Sequence, residues 1–265
     1  MTAVHGDDFQ PPWLLKSPHL QSMLASSSLR RRLRGRGARR LDRDAEWVTL
    51  DCGDGVRLTG CHTAQNVAAQ ARGLAVLFHG WEGSVRSTYL LRTGARLLEE
   101  GWDVFRLNFR DHGGSHHLNR DIFHSCRIDE VVGALGAIAR RYPTRPLTLT
   151  GFSLGGNFAL RTALAAPAAG IELAHTIAVC PVIDPHGGLF ALEHGLRMYH
   201  DYFMWKWRRS LKLKQRLFAD TELFTHGELR GSLRSLTEAL VLRHTDFGSL
   251  ANYLDGYSVA DGRLA

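Results

Sequence analysis

Hydrophobic positions along this 265-residue chain change period as it is read, and each period specifies an element. Leu74-Ala75-Val76-Leu77-Phe78 is an unbroken apolar run of strand length, the pattern of a strand covered on both faces. Residues 87–100 place Leu90, Leu91, Ala95, Leu97 and Leu98 along one side of a helix. Residues 125–142 do the same with Ile128, Val131, Val132, Leu135, Ile138 and Ala139. Between the two helices residues 102–107 read as a strand, and residues 146–150 and 174–180 supply two more. Upstream, residues 46–50 and 56–61 flank Gly53-Asp54-Gly55, the tight turn of a hairpin. Strands alternating with helices predict an α/β fold: a mostly parallel, doubly wound sheet with right-handed crossovers.

From about residue 184 to 252 the rhythm changes. Residues 196–214 and 229–242 are helical in pattern, aromatic and basic, and follow one another with no apolar strand between them. This is the pattern of a helical lid inserted after a sheet strand. The expected organisation is an N-terminal arm and helix over 1–44, braced by Pro11, Pro12 and Pro18, then an α/β core over 45–183. The lid fills 184–252, and residues 253–265 begin a further core segment.

Candidate chemistry concentrates at two strand ends. Gly151-Phe152-Ser153-Leu154-Gly155-Gly156 lies between strand 146–150 and a run of helix formers. A G-x-S-x-G in a strand–turn–helix context is a nucleophile elbow, which presents the Ser153 hydroxyl above the sheet edge at a helix N-terminus that favours negative charge. Gly151, Gly155 and Gly156 let the backbone turn that sharply. His79-Gly80-Trp81-Glu82-Gly83 follows directly on strand 74–78. In such an arrangement the loop after this strand supplies one backbone N–H of an oxyanion hole, and the residue after the serine supplies the other. Those donors are Trp81 and Leu154, with His79 and Gly80 supporting the loop. Losing one donor of this kind costs about 2.7–4 kcal/mol of transition-state stabilisation.

The formal charge of +7 changes this picture little. The excess sits in Arg30-Arg31-Arg32-Leu33-Arg34-Gly35-Arg36 with Arg39-Arg40, and in Lys206-Trp207-Arg208-Arg209 with Lys212, Lys214 and Arg216. Both read as solvated helix ends and lid surface, and no zinc-finger or RNP signature points to a nucleic-acid partner. Cys52, Cys61, Cys126 and Cys180 contain no C-x-x-C pair and read as reduced thiols of a cytoplasmic protein. No apolar run approaches the ~18–20 residues of a transmembrane helix, which leaves at most peripheral membrane contact. His112, His116, His117 and His124 cluster in sequence, but Asp111-His112-Gly113-Gly114-Ser115 reads as an ordinary loop after a strand, and no metal is assigned.

Taken in order, Phe9-Gln10-Pro11-Pro12-Trp13-Leu14, Pro18-His19-Leu20-Gln21-Ser22, His79-Gly80-Trp81-Glu82-Gly83-Ser84, Asn108-Phe109-Arg110, Phe123-His124-Ser125 and the Ser153 elbow resemble the YheT-like α/β-hydrolases. The resemblance implies a serine hydrolase that cleaves carboxylic esters, often short- or medium-chain acyl esters, through an acyl-enzyme. It also implies a Ser-Asp-His triad, a small-molecule ester as partner and no cofactor. Cys126 stands where the family usually has glycine. The triad order is serine, acid, histidine, each on a loop after a later strand. Roughly two strand–helix units, on the order of 60 residues, do not follow the lid. The last sheet strands are therefore expected to be missing, and the triad acid and His have no position to be carried onto. Asp184 follows strand 174–180 but reads as a helix cap, and a lid histidine such as His200 has no supporting spacing. A second expectation is thus a catalytically impaired remnant or binding scaffold, with an exposed sheet edge that favours marginal stability or association.

Overall fold

The computed structural model describes residues 10–26, 35–65, 71–144 and 146–264. The basic run at 30–34 and Phe9 lie outside the described residues. β1 (Glu46–Asp51) and β2 (Arg57–Thr63) pair antiparallel with Glu46 opposite His62. Four further strands complete the sheet: β3 (Leu74–Phe78), β4 (Asp103–Asn108), β5 (Leu147–Phe152) and β6 (His175–Val179). The order is β1-β2-β4-β3-β5-β6. β2 meets β4 antiparallel, whereas β4, β3, β5 and β6 run parallel to one another. All five residues of β3 are buried, because helices cover both faces of the sheet centre.

Those helices are α2 (Arg36–Arg43), α3 (Thr88–Glu99), α4 (Ile128–Arg141) and α5 (Leu154–Ala165), while α1 (Pro18–Ser26) lies against α3. On one face Ala38 and Leu41 of α2 and Leu90, Leu91 and Leu98 of α3 pack on Leu77 and Val104. On the other, Val131, Leu135 and Ile138 of α4 and Phe158 of α5 pack on Val76, Phe78 and Leu149. The wound pattern expected from the alternating periods is present. One boundary moves: α4 starts at Ile128 rather than 125. The Ser125 N–H donates to the Tyr253 hydroxyl at 2.9 Å, and the Cys126 thiol lies 3.4 Å from the Tyr253 carbonyl oxygen. A residue far along the chain holds these groups in a turn, which helix periodicity cannot register.

Beyond β6 the chain folds as α6 (Pro185–His194), α7 (Arg197–Leu217), α8 (Leu233–His244) and α9 (Leu250–Gly256). Met204, Trp207, Leu211, Leu236, Leu240 and Tyr253 form a hydrophobic cluster of their own. Asp184 caps α6, its Oδ1 accepting the His186 N–H at 2.9 Å. The layer is fastened to the sheet by Lys214 of α7, 1% exposed, whose ammonium donates to Asp111 Oδ1 at 2.7 Å and to the His116 carbonyl at 3.1 Å. Among the described residues β6 pairs with β5 alone, and its Ile177 is 53% exposed. No helix among the described residues is long and apolar enough to cross a membrane.

Candidate functional site

β5 ends at Phe152 and α5 begins at Leu154, so one residue makes the turn. Ser153 does so at φ +55°, ψ −120°, a sparsely populated region that costs on the order of 1–3 kcal/mol. Its neighbours hold it there. The Ser153 N–H donates to the Val179 carbonyl of β6 at 2.9 Å, and its own carbonyl accepts the Gly156 and Asn157 N–H groups at 2.9 and 3.1 Å. The side chain is exposed at the carboxyl end of the sheet.

The glycines have a steric explanation. A methyl on Gly155 would overlap the His79 carbonyl oxygen and stand 2.8 Å from that of Phe78, so only glycine lets α5 press against the end of β3. Gly151 faces the Gly155 carbonyl in the same way, and Gly156 packs against Pro181. A Cβ on Gly80 would meet the Ser153 Cβ at 3.2 Å, which shows how closely the loop after β3 passes the serine.

That loop is pinned nearly atom by atom. The Gly80 N–H donates to the Tyr89 hydroxyl at 2.9 Å, and the Gly80 carbonyl accepts both the Gly83 N–H at 2.9 Å and the His79 Nδ1–H at 2.7 Å. His79 Nε2 accepts the Phe109 N–H at 3.3 Å. The Glu82 N–H donates to His112 Nε2 at 3.1 Å, while His112 Nδ1–H donates to the Arg110 carbonyl at 2.7 Å. Lys206 of α7 donates to the Glu82 carbonyl. Burial drives the His79 pKa down to about 4, against its Gly80 bond, and holds His112 well below the usual imidazole value, helped by His79. Both rings are therefore neutral, as acceptors of backbone N–H groups must be. The Trp81 N–H has no hydrogen-bond partner among the described residues, and neither does the Leu154 N–H in the first turn of α5.

Ser153, Trp81 and Leu154 line one cavity of about 310 Å³, closed by Leu189 of α6, Trp207 of α7 and Leu240 of α8. The indole of Trp81 stacks on Phe203 at 5.3 Å between ring centres and meets Trp207 edge-on at 5.5 Å. A second cavity, about 670 Å³, lies beside Ser153 and shares Trp81 and Phe203 with the first. The structure thus brings together all three residues singled out in sequence, with His79, Gly80, Gly151, Gly155 and Gly156 behind them. Tyr89 is absent from the sequence reading, and His112 and Lys206, read there as part of an ordinary loop and as lid-surface charge, prove to hold this loop through contacts that have no periodic signal.

His124 also lines the smaller cavity, its Nδ1 buried without a partner. Burial, then Arg127, Arg110 and Arg161, push its pKa down to about 3, which makes it a feeble base. His186 engages Asp255 at 3.1 Å, His194 the Phe190 carbonyl at 3.0 Å, His200 Asp201 at 3.2 Å and His244 the Leu223 carbonyl at 2.8 Å. None of these, nor His175 or His226, lines either cavity. Among the described residues no three His, Cys, Asp or Glu side chains converge as a metal site, and His116 instead bonds Ser210 at 2.8 Å.

A family model described as the alpha/beta hydrolase fold matches residues 75–255. The putative esterase YheT of Escherichia coli (strain K12) is 29% identical over 111 residues, 42% of this chain and 33% of that protein. The chain's match therefore spans about a third of the length of this curated relative. Among solved structures, the Pyrococcus furiosus esterase Pf2001 aligns at 21% identity and TM-score 0.47, covering 57% of this chain and 56% of that one. XC6422 from Xanthomonas campestris, an a/b serine hydrolase without lid, aligns at 26% identity and TM-score 0.39, covering 46% and 56%.

Proposed function

This chain belongs to the alpha/beta hydrolase fold family, and from that premise we propose that it is built to cleave carboxylic esters of short or medium acyl chain through Ser153. The observation that carries the reading is the strained, exposed Ser153 beside two backbone donors, Trp81 and Leu154, that have no partner among the described residues. In the first step the Ser153 oxygen attacks the ester carbonyl and its proton passes to a base. The carbonyl oxygen becomes an anion held by the two N–H groups and by the N-terminus of α5. The C–O bond then breaks, the alcohol leaves with a proton, and water later releases the acid from the acyl-serine. No cofactor enters these steps. The apolar cavity under the lid suits the acyl chain, and the lid helices set its length.

The reading assigns no triad acid or His within these residues, because the later histidines are engaged elsewhere and His124 is a poor base. That observation favours a second reading, a binding scaffold that holds an ester without turnover. A serine stripped of its partners retains only ~10³–10⁴-fold acceleration over water. A fluorophosphonate probe separates the two. Stoichiometric labelling of wild type, lost in Ser153→Ala, supports the hydrolase; a folded protein whose Ser153 takes no label overturns it.

A further inference from the structure

Helix α7 lines both cavities beside Ser153, and its period gives them different chemistry. Phe203 and Trp207, one turn apart, face the smaller cavity, whose remaining walls are mainly leucine and aromatic. The adjacent row, Tyr202 and Lys206, faces the larger cavity together with Glu82, Ser84 and Thr88. Phe203 stands on the divide and borders both. The Lys206 ammonium lies 5.4 Å from the Tyr202 ring centre and gives one N–H to the Glu82 carbonyl. An ammonium carries three donors, and among the described residues no other acceptor takes the remaining two.

Ser153, Trp81 and Phe203 border both cavities, so an ester seated at Ser153 has room for one half in each. Resting on the hydrolase reading, we propose that the larger cavity takes the alcohol half, and that this alcohol carries an anionic group paired with Lys206. The apolar rows around Trp207 repel charge, because an unpaired ion loses its hydration there. The Lys206 side keeps both a cation and hydroxyl groups in reach. Arg86 adds positive charge at the rim, tied to Asp42 at 3.3 Å. Glu82 is the opposing group. Burial pushes its carboxyl up to about 7, with Lys206 pulling down and Asp111 pushing up, while neutral His112 holds its N–H. Below neutral pH the Glu82 carboxyl is therefore neutral and the cavity keeps the positive charge of Lys206 and Arg86, and above it Glu82 competes for the Lys206 ammonium.

The test is calorimetric and needs no turnover. Two ketone isosteres share one medium-length acyl chain, and their tails end in a carboxylate or an alkyl group. At about pH 6 the carboxylate-tailed ketone is expected to bind wild type about tenfold more tightly. The preference disappears in Lys206→Met, persists in Lys206→Arg and weakens with added salt. Circular dichroism and a cooperative melt report that Lys206→Met is folded; should it not fold, the salt dependence of wild type decides the matter. Equal affinity for both tails, a preference that survives Lys206→Met, or one that ignores salt overturns the proposal. Failure of both ketones to bind overturns it as well. Absent fluorophosphonate labelling of Ser153 with the tail preference intact would instead bring down the hydrolase reading alone.

Discussion

The sheet core pairs its buried cations within itself, whereas one lid helix spreads its cations over several destinations. In the core the buried cations find their partners close by: Arg110 reaches Glu130 at 2.6 and 2.9 Å, and Arg106 donates to the Val85 and Leu41 carbonyls at 2.8 and 3.2 Å. In the lid, α7 sends its basic residues several ways, Arg208 reaching the Gly231 carbonyl at 2.6 Å within the lid itself. Lys214 turns inward to the core carboxylate of Asp111, Lys206 reaches the loop beside Ser153, and Arg209, Lys212 and Arg216 face solvent. One helix thus supplies an anchor, a loop clamp and a solvated face. What separates them is angular position on the helix, which composition does not record.

The sharpest way to break that contrast is to remove the anchor. Lys214→Ala leaves Asp111 buried without its cation and is expected to cost about 3–5 kcal/mol in urea unfolding, whereas exposed Lys212→Ala stays within about 0.5 kcal/mol. A loss below about 1 kcal/mol for Lys214→Ala would mean that the lid is held by its apolar contacts instead. Next come matched truncations, Leu149→Ala in the sheet and Leu236→Ala in the lid, both fully buried. Each is expected to cost about 2–5 kcal/mol. One shared thermal transition for the lid variant shows that lid and core melt together, and two transitions show that the lid is an independent unit.

A smaller effect is expected at the pinned loop. His112→Phe leaves the Glu82 N–H without its acceptor, a penalty of about 1–3 kcal/mol. It should slow fluorophosphonate labelling of Ser153 by about tenfold while the protein stays folded; an unchanged rate would show that the loop keeps its shape without the imidazole. The smallest effect follows from Glu82. Its carboxyl sits at about 7 in the fold, against 4.5 for the unperturbed group, so it is protonated in the fold and ionised in the unfolded chain between those values. Relative to Glu82→Gln, wild type therefore loses stability as pH rises through that window. The melting temperatures of the two should converge near pH 4 and separate above pH 7 by the equivalent of about 1–2 kcal/mol, allowing for the solvent that reaches this half-buried group. A constant gap across that range would place the Glu82 carboxyl in water.

Much of the sheet was legible because burial on two faces writes itself as unbroken apolar runs: residues 74–78 of the sequence pattern are β3 to the residue. The Ser153 turn was legible because Gly151 and Gly155 answer to contacts with backbone, which no other residue type satisfies. The start of α4 was not, since Tyr253, more than a hundred positions away, takes the Ser125 N–H. Nor were the clamps on the loop after β3. His112 looks like one of four clustered histidines and Lys206 like one of several lid cations, and only their placement against Glu82 distinguishes them.

By itself the amino-acid sequence determined the alternation of strand and helix, the glycine-framed turn at Ser153 and the change of rhythm that begins the helical layer. These depend on local periodicity and on the absence of a Cβ, both properties of the residues themselves. Tertiary structure decided which backbone N–H groups stay unpartnered, which histidines are neutral acceptors and how α7 divides its two rows between two cavities. Those outcomes depend on burial and on partners far apart in the chain, quantities that exist only once the layers have packed.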